Sequence, residues 1–320
     1  MRAREEEGAH MRVYEKKRIL VVVKTYPNPS HNYGETVCCA GVDLDNGRWV
    51  RLYPITFRQL AEKRFAKYQV IECLATTSRG DKRPESLRID QDSIQIVGDP
   101  VPSGPTGWRK RMALLPPPAT SLEEIRQAQA ANGTSIGMFR PRQIARLVIQ
   151  KAEPWTVRQQ TYLRQQRLGL GEEVAREMQE LERVPWTFSY RFTCSDERCT
   201  TSHDLQIQDW EIGQSYRRWS RTDPDRWEPM IRQRYERELP ERDLYLVVGN
   251  LAKRHQTFVI IGLVRPPRSK MDGGDVQQTL DLMGEQRPVA GGGVGLEAEE
   301  TDTLGRDERD EPLDLFPDEG

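Results

Sequence analysis

Residues 186–193 read Trp-Thr-Phe-Ser-Tyr-Arg-Phe-Thr. In an extended chain Trp186, Phe188, Tyr190 and Phe192 share one side, and Thr187, Ser189, Arg191 and Thr193 the other. This two-residue period predicts a strand with one dry and one wet face. Working outward, 243–249 (DLYLVVG) and 257–264 (TFVIIGLV) read as buried strands. Between them and 186–193, a helix is expected over 210–220. A second helix is expected from Asp223, with Pro224 at its first position, where a missing N–H costs nothing. Trp227, Met230, Ile231 and Tyr235 then follow helical spacing as core. These elements make residues 184–267 a small β-rich unit.

A second such unit precedes it, at 18–97. Residues 18–24 (RILVVVK) form a buried strand, and 36–44 and 48–53 flank Asp45-Asn46-Gly47. Asn-Gly between apolar runs is a strong hairpin signal, expected to place both turn residues at positive φ. A short helix is expected over 56–66 with Thr56 as N-cap, and strands over 69–77 and 87–97. Prolines at 100, 102, 105, 116, 117 and 118 mark a break. Residues 98–183 therefore read as a Pro-rich loop and helical connector. Within it, Ser121 and Glu124 make a capping box for a helix over 122–131, ended by Gly133. Residues 141–151 fit helix or strand, and 157–182 fit a solvated helix. Residues 1–17 are expected to be a disordered leader. The fold class expected is α+β, β-rich: two small β domains with short helices and a disordered tail.

Composition bounds the function. The 320 residues are 36% hydrophobic and 30% charged, with mean hydropathy −0.75. No stretch of 18 apolar residues is present, which excludes a spanning helix, so no membrane partner is expected. Five cysteines without a framework, and an opening MRAREEEGAH without an apolar core, predict a cytoplasmic protein. The net charge of −1 conceals an asymmetry. Residues 271–320 hold fifteen Asp/Glu and three Arg, a net of −12, which leaves about +11 for residues 1–270. A body with that surplus attracts polyanions, and an acidic tail can compete for the same surface. Residues 268–320 are too polar and Gly-rich to build a core.

Cys194-x4-Cys199-x3-His203 gathers three donors suited to Zn²⁺ within ten residues. Asp204, Cys38, Cys39, Cys73, His255 or water are candidates for the fourth position. His203, Asp209 and Glu211 could alternatively hold a divalent metal and activate water, as a nuclease would. The competing reading makes Asp209 the cap of the next helix and Glu211 part of its first turn. Basic and aromatic residues interleave at Trp49, Arg51 and Arg58, and again at Arg217, Arg218 and Trp219. Arginine neutralises phosphate while indole rings stack bases. In the tail, Leu280-Asp281-Leu282 and Leu313-Asp314-Leu315-Phe316 are apolar islands suited to docking on a partner. Both copies resemble the peptide by which bacterial replication and repair proteins bind the sliding clamp, although Pro312 stands where that peptide has Gln.

Four segments together, KTYPNPS, GRWVRLYP, FSYRFTC with its later Cys and His, and DLYLVVGN with FVIIGLVRPP, resemble a poorly characterised bacterial family with a dual OB-like architecture. The resemblance covers 18–97 and 184–267. It implies two small β-barrels and a nucleic-acid role in genome defence or repair, with Cys194, Cys199 and His203 matching the family's C-x4-C-x3-H pattern. The function expected is nucleic-acid binding with a structural zinc. The alternatives are the nuclease and an adaptor recruiting a protein through its tail.

Overall fold

The computed structural model describes residues 13–26, 28–30, 34–56, 65–78, 80–157, 160–161, 183–196, 199 and 201–268. The expected helix over 56–66 falls largely on 57–64, outside the described residues, as do most of 157–182, Arg58 and the tail residues Leu280, Leu282, Leu313, Leu315 and Phe316.

The protein is β-rich, with two six-stranded sheets and a few short helices. The first sheet contains β1 (Glu15–Lys24), β2 (Asn28–Ser30), β3 (Gly34–Asp43), β4 (Arg48–Thr56), β5 (Val70–Thr77) and β6 (Ser86–Val97), in the order β1-β5-β6-β4-β3-β2. Because β1 also pairs with β3, the hydrogen bonding returns to its start and closes a circuit. Closure needs Gly41: a side chain there would strike the Leu20 carbonyl oxygen of β1. β1 begins three residues earlier than the sequence suggests, because Glu15–Lys17 pair with Cys73–Ala75 of β5.

Helices α1 (Pro105–Ala113) and α2 (Leu122–Asn132) lead to the second sheet. Ser121 caps α2 by accepting from the Glu124 N–H, and Gly133 ends it at φ 81°, as read from the sequence. The second sheet holds β7 (Ile136–Phe139), β8 (Pro141–Lys151), β9 (Trp186–Cys194), β10 (His203–Ile207), β11 (Tyr245–Leu251) and β12 (Arg254–Val264), in the order β7-β11-β12-β10-β9-β8. Only Arg140 separates β7 from β8, the two outermost strands, so the chain itself, rather than a hydrogen-bonded pair, links the ends of this sheet into a circuit. Of the stretch placed above in a Pro-rich loop and helical connector, 136–139 and 141–151 are thus two strands of the second sheet, which settles 141–151 as strand. Between β10 and β11 lie α3 (Trp210–Thr222), α4 (Trp227–Arg232) and a continuing π-helical turn. The helix expected from Asp223 starts at Trp227 instead; residues 224–226 are a turn. The turn 44–47 also departs from expectation. Gly47 alone has positive φ, and the Asp43 side chain and carbonyl collect the turn's N–H groups.

Each sheet encloses its own core. Ile19, Val21, Leu52 and Ile71 fill the first, and Phe188, Tyr190, Phe192 and Ile260 the second. A third cluster lies between the sheets: Leu20, Val22, Val42 and Trp49 meet Ile136, Met138, Val247 and Ile261. The continuous apolar runs of β1, β11 and β12 are therefore strands buried on both faces. β9 alternates because, among the described residues, no second sheet packs on its outer face.

Candidate metal centre

The β9 alternation that points Phe188, Tyr190 and Phe192 inward also turns Cys194 inward at the strand's end. His203 opens β10, paired with Phe192, its ring 5.2 Å from the Phe192 ring. Cys199 lies in the loop between them. The fourth member is Glu123, in the first turn of α2, where the helix dipole favours a carboxylate. Cys199 Sγ is 2.9 Å from His203 Nε2, His203 Nε2 is 3.4 Å from Glu123 Oε2, and Cys194 Sγ is 3.7 Å from the same oxygen. All four ligand atoms lie within 4.8 Å of one another. Ligand atoms around a tetrahedral zinc stand about 3.3–3.8 Å apart, given bonds of about 2.0–2.3 Å.

Burial pushes the Cys194 thiol up to about 12, with Cys199 and Glu123 adding to the effect. Burial also holds His203 below its ordinary value, which keeps the imidazole neutral as a ligand requires. Burial works against the Glu123 carboxylate, but Cys199, His203 and Arg126 more than offset it and lower its pKa. The donors are thus soft sulfur, imidazole and one carboxylate, a set that suits zinc. None of the protein groups named above as a fourth ligand occupies that place. Asp204 faces outward and pairs with Arg191 at 2.8 Å. Cys39 and Cys73 belong to the first sheet's core, Cys38 lies on β3 of that same sheet, and His255 Nε2 sits 2.8 Å from the Ala252 carbonyl. Glu123 went unread because nothing in its local sequence ties it to a loop 71 residues away; the capping box alone pointed at that helix end.

The His203, Asp209 and Glu211 trio does not gather. Asp209 is buried, caps α3 by accepting from the Glu211 N–H at 2.8 Å, and accepts from the Leu263 N–H. Lys67 Nζ lies 2.9 Å from Asp209 and 3.1 Å from Glu211, and Arg265 bonds Glu211 at 3.0 Å. Both carboxylates serve a bridge between the sheets, while His203 stands with Glu123 and the cysteines.

Two expected nucleic-acid contacts are also internal. Trp49 and Arg51 point away from the first core, but onto the second sheet, and are 9% and 8% exposed. Arg51 lies over Gly249, where a Cβ would meet its guanidinium at 2.5 Å, and bonds the hydroxyl and carbonyl oxygens of Ser135. The second sheet covers the face that the sequence leaves looking open. Trp219 packs against the second core, Arg217 is half-buried and Arg218 is exposed.

A family model described as a domain of unknown function, DUF8757, matches residues 118–283, more than half of the chain. The chain belongs to the DUF8757 family. A second domain of unknown function, DUF8758, matches residues 15–117, so the DUF8757 segment begins just before the helix that carries Glu123. No curated protein matches significantly. Two solved structures similar to this DUF8757 chain are described as "Structural mimicry for functional antagonism" and "Molecular basis for abrogation of activation of pro-inflammatory cytokines". The first is 9% identical with TM-score 0.28 and covers 64% of this chain and 78% of its own. The second is 9% identical with TM-score 0.27 and covers 65% and 84%. Similarity that low carries no argument about fold or function. No described helix is long and apolar enough to cross a membrane.

Proposed function

We propose that this is a nucleic-acid-binding protein built from two OB-like barrels, in which the second barrel binds and a zinc ion held by Glu123, Cys194, Cys199 and His203 pins its β9–β10 loop to α2. The strand order supports the OB-like reading. Leaving out β2, the first circuit runs first-second-third-fifth-fourth strand and back, with the third and fifth parallel. Counting β7 and β8 as one interrupted strand, the second circuit has the same order, again with third and fifth parallel. This is the Greek-key order of oligonucleotide-binding barrels, which bind on the face of their second and third strands.

One observation carries the binding assignment. On the open outer face of the second circuit, Arg146 of β8 stands directly opposite Arg191 of β9. Like charges directly opposite are destabilising. Arg191 shares a half-exposed ion pair with Asp204, and among the described residues no carboxylate pairs with Arg146, so two guanidinium groups face each other over one carboxylate. A phosphate would relieve the repulsion. The test is fluorescence anisotropy of the full chain on labelled DNA across a salt series. The Arg146→Gln variant is expected to bind more weakly and to lower the slope of log K against log salt by about one. Unchanged affinity and slope in the folded variant would remove this face from the proposal.

A further inference from the structure

Resting on that assignment, we infer that the β8–β9–β10 face takes duplex nucleic acid through its sugar–phosphate backbone, without stacking on bases. Single-strand binders of this architecture need exposed aromatic planes. Here the three ring-bearing residues of β9 that follow Trp186 all point inward, Phe188, Tyr190 and Phe192 being at most 3% exposed. The Trp186 ring is engaged by Trp227, at 5.2 Å between centroids, and Trp227 by Tyr216 at 5.0 Å. What β8, β9 and β10 present outward is mostly hydrogen-bonding side chains around the arginine pair, with Val148 opposite Ser189 and the Asp204 carboxylate held by Arg191. Gln143 stands opposite Thr193, and Ser189 opposite Gln206. Short hydroxyl and amide side chains with arginine are the groups that contact phosphate and sugar oxygens. The strand alternation is itself the reason: the residues that could stack bases are spent on the core.

The experiment is a three-probe titration of the full chain at one low salt concentration. The probes are a labelled 24-base-pair duplex, its single strand, and that strand carrying a run of abasic sites. The duplex is expected to bind about ten-fold more tightly than the strand, and the abasic run to leave strand binding unchanged, since backbone contact ignores the bases. Strand binding equal to or tighter than duplex binding, or weakened by the abasic run, would overturn the inference while leaving nucleic-acid binding intact. No binding of any probe would defeat the underlying assignment instead.

Discussion

At the scale of single residues, the chain's chemistry was half legible. Cys194, Cys199 and His203 announce themselves by donor type and spacing, because a short loop can bring three nearby ligands together. Glu123 carries no such mark, since its position depends on how α2 packs on the β9–β10 loop. With the proposed zinc, native mass spectrometry is expected to find one ion per chain. The His203→Ala and Glu123→Ala variants should lose it to a chelator far more readily, whereas Asp204→Asn should not. Retention by the first two would place the metal elsewhere. Arg51 shows the converse failure. Its neighbours alternate as any strand's do, and only Gly249, 198 positions later, reveals that the guanidinium lies against another sheet. Gly41 is similarly silent in sequence. Ala at that position would press a methyl group against the backbone of β1, where nothing flexible can yield. Overpacking of this kind costs about 1–3 kcal/mol, and chemical denaturation of Gly41→Ala should show it as a lower midpoint.

At the scale of elements, β1, β3, β4, β5, β6, β9, β11 and β12 are legible to within three residues at each end because burial writes a period of two, or an unbroken run, into the residues, whereas β8 fits helix or strand equally and the short β2, β7 and β10 carry no such signal. The helix start was misplaced at Asp223 because Pro224 suits a turn as well as a helix N-terminus. The ends of α3 and β12 meet the loop before β5 in a charged cluster that only tertiary structure assembles. Burial of Lys67 opposes its ammonium, but Asp209 and Glu211 overcome this and hold its pKa above the ordinary lysine value. Burial pushes Asp209 up, so it takes the first proton on acidification. Burial also opposes the Glu211 carboxylate, yet Arg265 and Lys67 prevail and lower it from 4.5 to about 2. A depressed carboxylate stabilises the fold above its unfolded pKa and loses that contribution as pH falls through its folded one. The stability gap between the wild type and Glu211→Gln should therefore be full above about pH 4.5 and close towards pH 2. A gap independent of pH would show that Glu211 acts by packing alone. Lys67→Met strands Asp209 in the interior and should cost about 3–5 kcal/mol, as a broken buried pair does.

At the scale of the whole molecule, the same strand order occurs twice although no internal sequence repeat is visible. Order is set by which strands pair, and many residue choices satisfy one pairing, so the repeat leaves no trace in residue identity. Two β-rich units are therefore legible in the residues, but their relation is not. That relation decides which surfaces remain for binding. The outer face of β1, β3 and β4 is spent on the second sheet through Leu20, Val22, Val42 and Trp49. Among the described residues no sheet packs on the corresponding face of the second circuit, where β9 alternates. The two segments matched as separate domains, 15–117 and 118–283, thus share one apolar layer, stitched at its edges by Lys67–Asp209, Arg51–Ser135 and the Arg83 guanidinium on the Asn250 carbonyl. Separating them would leave Ile136, Met138, Val247, Val259 and Ile261 in water, an exposed patch of the kind that drives association. Residues 118–268 expressed alone are expected to bind a hydrophobic dye and to aggregate on size-exclusion chromatography. Co-expression with residues 13–117 should restore a dye-silent one-to-one complex. A monomeric, dye-silent 118–268 would mean that the intersheet layer is a contact between two independently stable domains, and the open β8–β9–β10 face could then be studied on the second domain by itself.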